Sequence, residues 1–544
     1  MKKLVWLMLI ALVANGAVAQ NKTQVANLAT LGKVWGFLKY YHPSAAKGQP
    51  DWDKELVRMI PLIEQAASVK EAGMLLESWY RSLPVAQLAS TPVNWAADSL
   101  DRVFTTKDID AFKIPVPLVS EFKRLYDYHQ PDTSRYITRT YRGINYDHII
   151  HMEDDHATPA FPDRSMRLLA LFRYWNTIAY FYPHRISYWN NLLPDYIDDF
   201  SQAGSAGAYQ HAVRKLIHEL PDSHSFIQLP GEMYYFYPFR IDYIEGKYLI
   251  GDCDDSMSVK YGYQIGDEIV SVSGKPVGER VKELLATTTG TNKLSLHRNI
   301  AGSLLKTGDT VLQVGFKRDG LVTTRQVALN SWEVYKNIPR THEKPQWQEV
   351  EKGIWYVRFC AIRKADTLQR LFQDIRQAKS VIWDMRDYPS YQVTTQLGQY
   401  LYPDRMVVTQ ERNASDQYPG TFIKSPYHFT PGGKTVEVYK WPLILLVDEH
   451  TQSLSESVSS LLQLRPNTTT MGRQTAGTTG NITWFSLPGG IEVSYTGVGV
   501  TGVQNSFVQG RGVKIDVPIM LTQDALVQSR DYMLGKAIEY ARSH

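Results

Sequence analysis

Hydrophobic residues change their spacing several times along the chain. From Gln24 to about Ser82 they recur at helical intervals: Leu28, Leu31, Val34, Trp35 and Leu38 fall on one face, and Leu56, Met59, Ile60 and Ile63 on another. Between Ser90 and Ile150 the period fades among Tyr, Thr and Asp, which predicts short strands or irregular structure. Arg167 to Leu220 is helical again. From Tyr237 to Leu329 the runs are strand-like, as in Tyr248-Leu249-Ile250, Glu268 to Val272 and Thr310 to Val314. After Gly353, strands alternate with helices: a strand over Ile354 to Ala361, a helix from Thr367, a strand ending at Asp384-Met385-Arg386, a helix after Gln392, a strand over Pro442 to Val447, and a helix opening at Ser453. A glycine- and threonine-rich loop spans Gly472 to Gly480. Leu487-Pro488-Gly489-Gly490 predicts a hairpin turn, and Asp524 to Arg542 a closing helix. The fold class expected is multidomain α+β: N-terminal helical units, a β domain, and a C-terminal α/β domain.

The two helical stretches repeat one another. Trp35-Gly36-Phe37-Leu38-Lys39-Tyr40-Tyr41-His42-Pro43 matches Trp175-Asn176-Thr177-Ile178-Ala179-Tyr180-Phe181-Tyr182-Pro183. Each copy runs on through a Trp-containing turn and an amphipathic helix to Leu-Pro (Leu83-Pro84, Leu220-Pro221), which reads as a duplicated helical unit. The second copy continues Asp222-Ser223-His224-Ser225. The first continues Val85-Ala86-Gln87, so the histidine belongs to one copy only.

At 544 residues the chain exceeds one core and predicts several domains. The divisions expected are a leader over 1–19, a helical accessory region over 20–150, a second helical unit over 151–234, a β domain over 235–330 and an α/β domain over 345–544. A net charge of +4 with no basic tract argues against nucleic acid as a partner. Lys2 and Lys3, the apolar run Leu4 to Val13 and Ala17-Val18-Ala19 form a secretory signal with cleavage near Ala19, so the mature chain is expected to be secreted or periplasmic. No later segment approaches the roughly 20 apolar residues of a membrane span. Cys253 and Cys360 are expected to be buried and independent of each other.

The candidate chemistry centres on Ser453. A serine where a strand meets a helix sits among free backbone N–H groups and the positive end of the helix dipole, which stabilise an oxyanion. The plainer alternative is an N-cap, with Glu456 three residues on closing a capping box. Ser455 is a rival nucleophile, but its place inside the helix turns it away from the strand end. His148, His151 and His156 near Glu153, Asp154 and Asp155 fit no compact zinc spacing and predict a solvated polar loop. No cofactor or metal is expected.

Several blocks in order carry a family resemblance. Gly262 to Val277, with its Gly266-Asp267 turn and Ser273-Gly274-Lys275 hairpin, resembles the core of a PDZ domain, without the glycine-rich carboxylate-binding loop. Asp222-Ser223-His224-Ser225, Asp384-Met385-Arg386-Asp387-Tyr388-Pro389-Ser390, Thr451 to Glu456 and Gly472 to Thr478 resemble the blocks of tail-specific (C-terminal processing) and tricorn-like serine peptidases. The resemblance covers the chain from about Arg167. It implies a crotonase-like α/β catalytic domain and a peptide or unfolded protein as substrate. It also implies Ser453 as nucleophile, His224 as base, Ser223 and Gln509 as orienting partners, and an oxyanion hole from the N–H groups of Leu454 and Ser390. Two positions depart from the pattern. Thr478 stands where tail-specific enzymes carry the lysine of a Ser-Lys dyad, which moves the likeness toward the histidine-using tricorn-like branch. Gln509 stands in place of a glutamate; Asp222 and Glu492 are the possible substitutes. These departures keep a second reading open, a catalytically weakened pseudopeptidase that binds peptides or protein C-termini. An esterase using the same serine is a third.

Overall fold

The computed structural model describes residues 21–130, 133–141, 147–153, 159–232, 235, 237–329, 345–430, 432, 439–502 and 508–544. The expected leader lies outside them.

The helical repeat appears as two matched sets. Helices α1 (Lys22–Tyr41), α2 (Trp52–Gln65) and α3 (Val69–Ser82) make the first. After α4 (Val116–Asp127), α5 (Arg164–Phe181), α6 (Trp189–Ser201) and α7 (Ala206–His218) make the second. In each set two tryptophans exchange indole-to-carbonyl bonds: Trp35 with Trp52 at 3.0 and 2.9 Å, and Trp175 with Trp189 at 3.0 Å both ways. α1 and α5 are buried almost all round, as helices at the centre of a domain are. They meet at equivalent positions. Gly32 lies against the Phe172 ring, and a Cβ on Gly36 would fall 1.8 Å from Asn176 Oδ1. The Asn176 amide donates to Gly32 O at 3.0 Å.

Two expectations change here. α4 lies within the stretch read as strand or irregular; it buries Leu118, Phe122, Leu125 and Tyr126, a helical spacing that the flanking prolines obscure. His151 and Glu153 are not in a solvated loop. His151 is buried, with Nε2 2.7 Å from the Tyr495 hydroxyl, and Glu153 pairs with Lys39 at 2.7 Å and with Arg173 at 3.1 Å inside the helical core. Arg173 also pairs with Asp53 at 2.7 Å, so each of these buried charges meets its opposite. Asp154, Asp155 and His156 lie outside the described residues, as does the side chain of His148.

Next comes an antiparallel sheet of β1 (Phe239–Ile244), β2 (Lys247–Cys253), β3 (Glu268–Val272), β4 (Val311–Arg318) and β5 (Leu321–Ala328), in the order β5-β4-β3-β2-β1. Helix α8 (Lys293–Ser303) packs on β1. The hairpin after β3 turns at Ser273 and Gly274, both with positive φ, as that turn requires.

The α/β domain is built on β6 (Trp347–Glu351), β7 (Ile354–Arg358), β8 (Ser380–Asp384), β9 (Leu443–Val447), β10 (Thr468–Gly472) and β13 (Val517–Pro518), in the order β6-β7-β8-β9-β10-β13 and parallel from β7 onward. Every residue of β8 and β9 is buried, which is why both read as continuous apolar runs. Trp383, Leu445 and Val447 face α9 (Ala365–Asp374), α10 (Tyr391–Leu401) and α11 (Leu454–Gln463). Ile382, Ile444 and Leu446 face α12 (Tyr532–Ser543). The closing helix is therefore shorter than expected: Asp531 caps α12 by accepting Leu534 N–H at 3.0 Å, and a separate turn of helix spans Gln523–Gln528. The expected hairpin joins β11 (Ile482–Leu487) to β12 (Ile491–Thr496), and β12 also pairs with Ile227–Gln228, just after His224. Cys253 and Cys360 are free and buried. Among the described residues no helix is long and apolar enough to cross a membrane.

Candidate active site

β9 ends at Val447 and the chain turns through six polar or buried positions before α11. The hydroxyl of Thr451 accepts Asp448 N–H at 3.1 Å and donates to Met385 O at 3.1 Å, docking this turn on the loop after β8. Ser453 then takes φ 58° and ψ −119°. A non-glycine residue there carries about 1–3 kcal/mol of backbone strain, which persists where the surroundings over-determine it. α11 begins with Leu454. Its amide, one of the helix's unpaired first donors, has no acceptor among the described residues. The Ser455 hydroxyl is fully buried and donates to Met385 O at 2.7 Å and Asp387 O at 3.2 Å, so it is a structural group.

Glu456 ties this turn to the 472–480 loop. Its carboxylate accepts from the Thr475 hydroxyl at 2.6 Å and from the N–H groups of Gly477 at 2.7 Å, Thr478 at 2.9 Å and Ser453 at 3.3 Å. Burial pushes its carboxyl up to about 7, against the pull of these donors.

His224 follows the second helical unit. Asp222 Oδ1 accepts His224 N–H at 3.0 Å, and Asp222 Oδ2 accepts Thr496 N–H at 2.7 Å at the end of β12. The Thr496 hydroxyl donates to Asp222 Oδ1 at 2.9 Å and stands 3.0 Å from His224 Nδ1. All three side chains are buried. Burial lowers the imidazole's pKa, the Asp222 charge opposes that, and Arg298 adds to it.

Thr478 brings the two segments together. Its carbonyl accepts Ser453 N–H at 2.9 Å and its hydroxyl accepts Ser223 N–H at 3.2 Å. The Gln452 amide reaches Ser223 O at 3.4 Å, so the residue before Ser453 rests on the residue before His224. The strand domain contributes as well. Arg298 donates to Glu449 O and to Gln452 Oε1, both at 2.6 Å, and Asn292 donates to the carbonyls of Thr475 at 2.8 Å and Ala476 at 3.0 Å.

The other residues singled out in the sequence have different partners. The Ser223 hydroxyl accepts Thr291 N–H at 3.0 Å. Gln509 accepts Thr479 N–H at 3.3 Å and donates to the Tyr182 hydroxyl at 3.4 Å, and Glu492 accepts the Ser486 hydroxyl at 2.5 Å. Ser390 stands at the N-cap of α10, and its amide has no acceptor among the described residues. Thr496, Thr291, Arg298 and Gln452 also belong to the site, without a sequence motif that marks them. They arrive from separate parts of the chain. Among the described residues no group of three His, Cys, Asp or Glu side chains is arranged to hold a metal.

Residues 353–519 match Peptidase family S41, and residues 233–329 match a PDZ domain. No curated protein matches the chain. Among solved structures, mature CPAF complexed with lactacystin is 12% identical, with a TM-score of 0.53, covering 69% of this chain and 97% of that one. Mature CPAF alone is 13% identical, with a TM-score of 0.52 and coverage of 69% and 96%. At such identities the likeness is one of fold. A photosystem II D1 C-terminal processing protease is 16% identical at a TM-score of 0.40, covering 66% of this chain and 94% of that one.

Proposed function

This chain is a serine-type peptidase with a family S41 domain and a PDZ domain, and we propose that it is exported and cleaves peptide bonds through an acyl-enzyme on Ser453, with His224 as general base and acid. The observation that carries this reading is the backbone of Ser453, bent to φ 58° at the mouth of α11 beside the Leu454 amide, which has no acceptor among the described residues. A cap needs no such strain. In the reaction, the Ser453 hydroxyl gives its proton to His224 Nε2 as Oγ attacks the scissile carbonyl. The N–H groups of Leu454 and Ser390 receive the oxyanion, and His224 returns the proton to the leaving amine. Water then repeats the sequence on the ester. Export rests on Lys2, Lys3, the apolar run Leu4 to Val13 and the small residues Ala17 and Ala19.

The test is cleavage of an unfolded protein by the mature chain beside Ser453→Ala, together with labelling by a fluorophosphonate, which reports an activated serine without knowledge of the substrate. Cleavage and labelling lost in Ser453→Ala support the reading. A well-folded wild-type protein that neither cleaves nor labels favours the peptide-binding pseudopeptidase.

A further inference from the structure

We propose that Thr496 is a positioning residue that links His224 to Asp222, so that the imidazole is oriented by a hydroxyl backed by a carboxylate instead of by Gln509. The inference rests on the Ser453–His224 reading and adds to it the identity of the group behind the base.

Proton counting supports it. A threonine hydroxyl has one proton, and here it points to Asp222 Oδ1 at 2.9 Å. Toward His224 Nδ1, at 3.0 Å, the same oxygen is therefore an acceptor. Nδ1 must carry the hydrogen, which leaves Nε2 with the lone pair that a general base needs. When His224 takes the Ser453 proton, the Thr496 oxygen, polarised by Asp222, meets the new positive charge. Asp222 is held for this task by two further donors, His224 N–H at 3.0 Å and Thr496 N–H at 2.7 Å. The rival partners are engaged elsewhere: Gln509 with Thr479 and Tyr182, Glu492 with Ser486, and the Ser223 hydroxyl with Thr291. The charged groups that act on His224 are Asp222 and Arg298.

The experiment is the rate of fluorophosphonate labelling of the full mature chain from pH 5 to 9, for wild type, Thr496→Val, Thr496→Ser, His224→Ala and Ser453→Ala. Valine keeps the shape and removes the acceptor. It is expected to slow labelling by roughly 10–100-fold at neutral pH, part of the ~10²–10⁴-fold supplied by acid–base catalysis. It also moves the acid limb to lower pH, because the imidazolium loses its acceptor. Serine restores both rate and limb. A purely structural role would change the rate without moving the limb. A wild-type rate and limb in Thr496→Val, with Ser453→Ala unlabelled, overturns the link while leaving the nucleophile in place. Labelling that survives in Ser453→Ala overturns the Ser453 reading itself. If Thr496→Val does not fold, Thr496→Ala in the same assay decides: an unmoved limb overturns the proposal.

Discussion

The carbonyl of Thr478 accepts the N–H of Ser453 at 2.9 Å, while its hydroxyl accepts the N–H that precedes His224 in the chain, at 3.2 Å. This is the position at which the resemblance to tail-specific peptidases expects a lysine. Thr478 is fully buried among Ser223, Thr291 and Glu456, and an ammonium there would have to be desolvated. Thr478→Lys should therefore lower the melting temperature and create no dyad. Thr478→Val, which removes the hydroxyl's bonds to Ser223 N–H and to the Thr291 hydroxyl, should cost about 1–3 kcal/mol. Denaturation midpoints of the two variants check this.

Ser453 trades stability for geometry. Glycine adopts φ 58° without a Cβ penalty, so Ser453→Gly should stabilise the α/β domain by about 1 kcal/mol, roughly 2–4 °C in melting temperature. Ser453→Ala should show no such gain, and both should abolish labelling. Thermal scans of the two variants in parallel separate strain relief from loss of the hydroxyl.

The depressed pKa of His224 sets two pH dependences. Burial is the largest cause, so the imidazole stays neutral, and able to act as base, below the ordinary 6.5. The acid limb of kcat/KM should lie below pH 6.5. A histidine whose folded pKa is depressed contributes stability that is present above the unfolded value and lost as pH falls through the folded one. Glu456 has the opposite sign. With its pKa raised to about 7, its contribution is present below 4.5 and lost as pH rises through 7. Melting temperatures of wild type and His224→Asn from pH 5 to 8 should converge toward the acid end, with Glu456 acting equally in both.

Arg298 reaches from α8 to the turn before the nucleophile. Its guanidinium makes charge-assisted bonds to Glu449 O and Gln452 Oε1, both at 2.6 Å. Bonds of this kind carry about 1.5–3 kcal/mol each. Arg298→Ala should slow labelling of Ser453 at least tenfold, at a cost of ~1.4 kcal/mol or more in the barrier. Arg298→Lys should not restore it, because an ammonium cannot supply the same fork. Labelling kinetics on the two variants measure both effects.

Where the helical copies cross, Gly36 leaves the space that the Asn176 amide fills. Gly36→Ala places a Cβ 1.8 Å from Asn176 Oδ1 and should destabilise the helical region by about 1–3 kcal/mol. Asn176→Ala, made with it, should recover part of the loss. A double-mutant cycle on denaturation midpoints reads the coupling.

Elements with a local signal are legible along the chain. Leu443 to Val447 is an apolar run because a central parallel strand is buried on both faces. Ser453 opens α11 because helical spacing begins one residue later. The Trp35 and Trp175 copies share their residue pattern, and each makes the same reciprocal indole bonds. Four short blocks and the turn at Gly266-Asp267 carry the likeness to a peptidase and a PDZ domain. α4 lay in the same kind of signal, with Leu118, Phe122, Leu125 and Tyr126 at helical spacing, but prolines and polar neighbours diluted it. Which polar group stands behind which is set by packing between distant segments. Thr496 and Asp222 are 274 residues apart and are joined by two hydrogen bonds, one from the Thr496 hydroxyl and one from its N–H. Arg298 acts on a turn 154 residues away. Hydrophobic periodicity is written along the chain because every residue of an element faces the same layer. A hydrogen bond between distant loops involves a single atom on each side and leaves no period to read.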